Sequence, residues 1–390
     1  MDHLLSRRVR AARSSVIRDL LKVVEQPGML SLAGGLPAPE SFPVARMREA
    51  ADRILGASDG LSSPLQYGPT EGVGPLRSWV ADQMGGGTAG VVQADQVVIT
   101  TGSQQALDLL AHALCDPGDV AVVEHPAYLG ATQALEAAGA ALEPVPADAD
   151  GIRVDVLAQR LAQGLRPKLC YVAPNFQNPT GATLAQDRRS ALGDLADRYG
   201  FMVIEDDPYR ELRFRGHHLP AVRTFGANVV TLGSTSKVLA PGLRVGWLVA
   251  PSWLVAPCVR LKQARDLHTS SLSQWLAHDV LGDERFLAGH RTALAALYAQ
   301  RCDALCGALI DQLGDRVSFV APDGGMFVWA ALAGVDTTDL LPRAAANGVA
   351  FVPGGAFHLD GGGRDRARLS FATLGAEGLA EAVRRLVAVV

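Results

Sequence analysis

Six short runs constrain the fold more tightly than any other feature of this chain: QVVITT, DVAVVE, KLCYVAP, FMVIED, NVVTLG and VGWLVA, all between residues 96 and 250. Most are apolar along their whole length instead of alternating, as in strands buried on both faces. Several are separated by stretches such as SQQALDLLAHALCDPG and LAQDRRSALGDLADRYG, which read as amphipathic helices. Strand and helix in alternation predict an α/β domain around a mostly parallel sheet. A long helical stretch over about residues 252–315 then changes the rhythm. After it, VSFVAP, MFVWAAL, GVAFVPG and ARLSFATL, with helices between and after them, predict a smaller α+β domain. Upstream, SSVIRDLLKVVEQP (14–27) reads as a leading helix. LSLAGGLPAPESFP, which follows it, reads as an extended Gly/Pro-rich segment.

Charge and composition narrow the partners. Lys and Arg number 36 against 40 Asp and Glu, a net charge of −4, which argues against a dedicated nucleic-acid or membrane-surface binder. The 390 residues are 48% apolar, enough for a sizeable core in two domains or in one with an appendage. The five cysteines (Cys115, Cys170, Cys258, Cys302, Cys306) are too scattered for a disulfide framework. Cys302 and Cys306 could share a helix face, but no histidine pair sits beside them. They read as packed reduced thiols, and no metal site is expected. The opening residues MDHLLSRRVR lack the apolar region of a signal peptide. No stretch approaches the roughly 20 uninterrupted apolar residues of a membrane span. A soluble, reducing, cytoplasmic protein is the expectation.

In an open α/β sheet, ligands bind beyond the carboxyl ends of the strands. QVVITT leads to Gly102, Ser103 and Gln104 at a helix start, where exposed N–H groups suit a phosphate or serve a plain cap. DVAVVE leads to Tyr128, KLCYVAP to Asn175 and Asn178, and FMVIED, which ends in Asp206, to Tyr209. NVVTLG leads to Ser234, Ser236 and Lys237, and Arg244 precedes VGWLVA. Singly, each has a bland alternative as turn, cap or core residue. Together they supply a lysine, a carboxylate, a phenol, an amide, a stacking aromatic and a phosphate cradle with an arginine. A pyridoxal phosphate enzyme needs that set: an amine for its aldehyde, a carboxylate for its ring nitrogen and donors for its phosphate.

The chain resembles the fold-type I, class I/II pyridoxal-phosphate aminotransferases, and looks closest to the 2-aminoadipate and kynurenine aminotransferase-like subgroup. The resemblance rests on SLAGGLPAPESFP, QYGPTEGVGPLR, TTGSQQALDLL, EHPAY, PNFQNPTG, IEDDPYREL, GSTSKVLAPGLRVGW, KQARDLHTSSLSQ, PDGGMFVW, FVPGGAF and RLSFA, spread over about residues 31–372. It implies that Lys237 is the Schiff-base lysine and proton shuttle and that Asp206 pairs with the pyridinium nitrogen. Tyr209 and Asn178 would bind the phenolic oxygen, and Tyr128 would stack on the ring. Ser103, Gln104, Ser234, Ser236 and Arg244 would hold the phosphate. Tyr67 would reach the phosphate of a neighbouring subunit, in a homodimer with shared active sites, and DLHTSSLSQ would lie near that interface. Arg368, Asn175 and Gly35 would hold the substrate α-carboxylate.

The resemblance further implies a large domain with a seven-stranded sheet (46–285), a small C-terminal domain (286–390), and an N-terminal segment (1–45) packing with the latter. The expected reaction moves an α-amino group between an L-amino acid and a 2-oxo acid in ping-pong fashion. A β-lyase or an oxidase would use the same cofactor clamp; the GGLP and NPTG contexts favour transamination. A non-enzymatic regulator is disfavoured, because only about 30 residues precede SLAGGLP. Arg13, Arg18 and Arg265 could supply a second anion contact, but solvated or core-capping roles are favoured for each.

Overall fold

The computed structural model describes residues 4–6, 9–10, 28–56, 64–85 and 90–390. The leading helix expected over 14–27, with Arg13 and Arg18, lies outside them. β1 (Leu30–Ser31) comes first in the chain. The large sheet follows, with β2 (Val97–Thr100), β3 (Val120–His125), β4 (Ala141–Asp148), β5 (Gly151–Ile152), β6 (Leu169–Val172), β7 (Met202–Asp206), β8 (Val229–Ser234) and β9 (Gly246–Val249). Their spatial order is β2-β9-β8-β7-β6-β3-β4-β5. The pairs β8–β7, β7–β6, β6–β3 and β3–β4 are parallel, whereas β9 runs antiparallel to both of its neighbours.

All six apolar runs are strands, and β2, β6, β7, β8 and β9 are buried at every residue. Helices cover both faces, which is why these strands do not alternate. Burying a side chain such as Val230 or Leu232, 0% and 1% exposed, contributes about 1.5–3 kcal/mol. Two departures from expectation concern this sheet. β4 is absent from the apolar runs because ALEPVPAD is mostly half-buried or exposed and carries Pro144 and Pro146. Proline lacks an N–H and suits a strand near a sheet edge. The sheet also has eight strands, not seven. The chain reverses at Asp148, where the carboxylate accepts Asp150 N–H at 2.9 Å, and Gly151 takes φ +88°. The two residues of β5 then pair back on β4.

The helical stretch after β9 is three helices: Ser252–Arg265, Ser271–Leu281 and Glu284–Leu313. Ser270 caps the second by accepting Ser273 N–H, and Asp283 caps the third by accepting Phe286 N–H. Among the described residues only the third is long and apolar enough to cross a membrane. It buries Leu294, Tyr298, Leu305 and Leu309 and packs on the helix Ala376–Val387 as a core helix does. Cys302 and Cys306 are buried on it, their sulfurs 3.9 Å apart.

A second sheet is wholly antiparallel: β10 (Val317–Ser318), β11 (Phe327–Leu332), β13 (Val352–Pro353) and β14 (Arg366–Ser370), in the order β10-β11-β14-β13. β12 (Val349–Ala350) pairs in parallel with β1. Leu32 then continues the contact, its N–H donating to Ala350 O and its carbonyl accepting Ser370 N–H, both at 2.7 Å. The segment after β1 thus reaches Gly35 held against the C-terminal part of the chain.

Candidate active site

The carboxyl ends of β3, β6, β7 and β8 share one edge of the large sheet, and their following turns carry Tyr128, Asn178, Tyr209 and Lys237. Arg244 reaches the same edge from the opposite direction. Because β9 is antiparallel, its first residue, Gly246, pairs with the last residues of both β8 (Ser234) and β2 (Thr100).

Asp206 ends β7 with 2% of its surface exposed. Its Oδ2 accepts the Tyr171 hydroxyl at 2.9 Å, while Oδ1 is buried without a partner. Desolvation raises its pKa to about 6, and the tyrosine bond opposes that rise. The Tyr128 ring stacks on Tyr171 at 6.4 Å between centroids and 27° between planes. Burial pushes the Tyr128 phenol up to about 12.

Lys237 donates from Nζ to Gly35 O at 2.8 Å. Burial first, then the positive charges of Arg368 and Arg244, lower its pKa to about 8. Arg368 projects from β14 and is 1% exposed. It donates to Asn178 Oδ1 at 2.8 Å and to Ala33 O at 2.6 Å, and its Nε has no partner. The guanidinium lies 4.3 Å from the Phe327 ring centroid and 5.2 Å from that of Phe357. The described residues give it no carboxylate, and burial pulls its pKa down to about 10. Tyr209 is buried beside them, its phenol pushed up by desolvation against a hydrogen bond from Asn178.

A cradle forms where the helix Ser103–Leu114 begins. Gly102 precedes it at φ +75°, ψ 168°, a region essentially restricted to glycine. A Cβ there would lie 2.5 Å from Arg244 Nη2, and one on Gly246 would lie 2.8 Å from Ser103 N. Both glycines therefore let the helix start, the strand β9 and the guanidinium converge. Arg244 adopts a left-handed backbone at φ 53° and donates to Thr101 O at 3.2 Å, with its side chain open to solvent. Ser234 Oγ and Ser236 Oγ are 2.8 Å apart. Gln104 Nε2 donates to Gly130 O at 2.9 Å. N–H groups at a helix start, hydroxyls and a guanidinium form a site for a phosphate dianion.

Three residues stand apart. The Asn175 amide is engaged elsewhere: Nδ2 donates to Asp207 Oδ2 at 2.8 Å and Oδ1 accepts Arg189 at 2.9 Å. It is Asn178 that meets Arg368, so the structure does not bring Asn175 to the carboxylate site. Tyr67 is 79% exposed and, among the described residues, its ring meets only the edge of His268, at 5.7 Å. Arg265 pairs with Asp108 at 2.9 Å as a partly exposed ion pair.

Several participants had no sequence signal. Tyr171 looks like another strand residue, and its role follows only from its bond to Asp206. Beneath the cradle, fully buried Lys262 donates to Gln105 Oε1 at 2.7 Å, Thr269 Oγ1 at 3.0 Å and Asp266 Oδ1 at 3.0 Å. Thr101 donates to the same Asp266 at 2.8 Å, which ties the loop carrying Gly102 to the helix Ser252–Arg265.

Comparison with known proteins decides the family. The model of class I and II aminotransferases matches residues 29–386. The chain belongs to the class I and II aminotransferases. This aminotransferase is 43% identical over 380 residues to a 2-aminoadipate transaminase of Thermus thermophilus, covering 96% of this chain and 93% of that one. It is 38% identical to aromatic-amino-acid aminotransferase 1 of Thermococcus litoralis, over 99% of this chain and 93% of the relative. Its fold matches that of LysN, an α-aminoadipate aminotransferase from Thermus thermophilus complexed with N-(5'-phosphopyridoxyl)-L-leucine. The TM-score is 0.91 at 40% identity, over 100% of this chain and 97% of the other. Among the described residues, Arg368 is a buried cation that no carboxylate pairs.

Proposed function

We propose that this aminotransferase acts on L-amino acids with long or aromatic side chains, and that the residues gathered at the strand ends are its active site. The reaction moves an α-amino group from an L-amino acid to a 2-oxo acid, and the cofactor is pyridoxal 5'-phosphate. The observation that carries the assignment is the pair of orphaned buried atoms, Asp206 Oδ1 and Arg368 Nε. Leaving buried charged groups short of partners costs several kcal/mol unless a ligand completes them. A pyridinium N–H completes the first and an α-carboxylate the second.

When bound, the cofactor supplies an electron sink that makes the α-hydrogen of an amino acid acidic. Asp206 holds the ring nitrogen protonated, and Tyr171 holds Asp206. Ser103, Gln104, Ser234, Ser236 and Arg244 bind the phosphate, and Tyr128 covers one ring face. Tyr209 and Asn178 take the phenolic oxygen. Arg368 orients the substrate by its carboxylate, with Gly35 forming part of the wall. Lys237 Nζ takes the α-proton; its lowered pKa keeps much of it neutral near pH 8, as a base requires. The apolar walls Phe327 and Phe357 exclude water from the Arg368 contact and so strengthen it.

The exposure of Tyr67 supports a homodimer in which this residue completes the neighbour's phosphate site. We also propose the division into an N-terminal segment (1–45), a cofactor domain (46–285) and a C-terminal domain (286–390), and a cytoplasmic location. A donor panel tests the substrate reading: 2-aminoadipate, kynurenine, aromatic, aliphatic, acidic and basic amino acids, each with 2-oxoglutarate and with pyruvate. Turnover is expected to be fastest with 2-aminoadipate or aromatic donors and 2-oxoglutarate. A preference for short or basic donors refutes it. Loss of the lysine-linked absorbance band in Lys237→Ala checks the site assignment separately.

A further inference from the structure

We propose that His125, His358 and Asp360 form a binding site for one divalent transition-metal ion of the zinc class. Each residue offers one ligand atom, and these atoms lie within 4.8 Å of one another. Asp360 Oδ1 is 3.3 Å from His125 Nε2 and 3.6 Å from His358 Nδ1. A tetrahedral ion with bonds of about 2.0–2.1 Å sets its ligand atoms about 3.3 Å apart. Two of the three contacts are thus already near the spacing such an ion imposes. Imidazole with one carboxylate is a donor set for zinc, nickel, copper or iron, and not for calcium or magnesium. Three protein ligands leave a fourth position, and both histidines line a groove of about 850 Å³ that gives access to it.

The surroundings hold the ligands in place. The imidazoles are mostly buried, with 14% and 15% of their side chains exposed. His125 Nδ1 and His358 Nε2 are buried without partners, so among the described residues the polar contact of each ring is the one its other nitrogen makes toward Asp360. Trp329 stacks on His358 at 14° between planes. Gly362 N–H donates at 2.9 Å to Asp360 Oδ1, the oxygen that faces both imidazoles, and orients the carboxylate. The turn wraps closely enough that a Cβ on Gly363 would sit 2.2 Å from the His358 ring. Sequence spacing gives no sign of the set, because His125 ends β3 while His358 and Asp360 follow the turn Gly354–Phe357. The ion would clamp two segments already joined by the Ala127 N–H to Phe357 O bond of 2.9 Å. Phe357 packs on Arg368, so the clamp stiffens the wall of the carboxylate site.

Titrating the cofactor-loaded enzyme with Co²⁺, without any amino acid, tests the site independently of turnover. One equivalent per chain is expected to produce the visible absorption of tetrahedral cobalt and to be displaced by Zn²⁺. His358→Ala removes that absorption, and Asp360→Ala weakens binding by more than about tenfold, the scale seen even for outer partners of metal ligands. No saturable absorption in the wild type, or unchanged binding in both variants, overturns the proposal. Should His358→Ala fail to fold, Asp360→Ala decides alone, since that side chain is 63% exposed.

Discussion

Asp206 is a carboxyl group whose charge the fold opposes until a ligand arrives. Its pKa of about 6 in the folded chain lies above the ordinary 3.8 because burial disfavours the anion. A group raised on folding contributes stability that is fully present below its unfolded pKa and lost as pH rises through the folded value. For the protein without cofactor this window runs from about 3.8 to about 6, and amounts to on the order of 3 kcal/mol. Thermal melts of the cofactor-free wild type and Asp206→Asn should therefore diverge across that window, with the wild type losing stability relative to the variant; parallel curves would remove Asp206 from this role. At the other end of the substrate, Arg368→Lys keeps the charge but loses the planar fork. KM should rise at least tenfold for every amino donor alike, while cofactor affinity stays unchanged. A KM that moves for some donors only would assign Arg368 to side-chain recognition instead.

At the scale of single elements, the proposed phosphate cradle depends on backbone more than on side chains. Gly102 holds a conformation that costs other residues about 1–3 kcal/mol, and its missing Cβ is the space the Arg244 guanidinium occupies. Gly102→Ala should fold with reduced stability and bind cofactor at least tenfold more weakly, measured by cofactor release on dialysis. If cofactor is retained as in the wild type, the cradle lies elsewhere. The element pattern itself was legible because strands buried on both faces must be continuously apolar. β4 escaped because an outer strand tolerates two prolines, and the three helices after β9 merged because their breaks are short and polar. The caps Ser270 and Asp283 mark those breaks in retrospect, yet serine and aspartate occur at many positions that cap nothing.

For the whole molecule the testable consequence is shared sites. Tyr67 is 79% exposed and Leu65 70% exposed on the same segment, beside His268. If Tyr67 completes a neighbouring site, Tyr67→Ala and Lys237→Ala each inactivate or impair both sites of their own homodimer. Mixed and allowed to exchange subunits, they should regain activity, because one site of each hybrid then carries both native residues. Mixtures no more active than the sum of the separate variants would show that each chain works with its own Tyr67.

The sequence by itself determined the layered α/β plan and the residue types of the chemistry. Both are local: a strand buried on both faces must be apolar wherever it lies, and in an open α/β sheet ligands bind beyond the carboxyl ends of the strands. The sequence places Asp206 at the end of its strand and Tyr209 and Lys237 just beyond theirs, where the structure has them. Tertiary structure alone decided which of two asparagines, three residues apart, reaches Arg368. Asn178 does so, while Asn175 is held by Asp207 and Arg189. It also decided that Tyr171 supports Asp206 and that Lys262 braces the cradle. It alone set His125 beside His358 and Asp360. Those relations join residues far apart in the chain, and they exist only once burial has removed water as the competing partner.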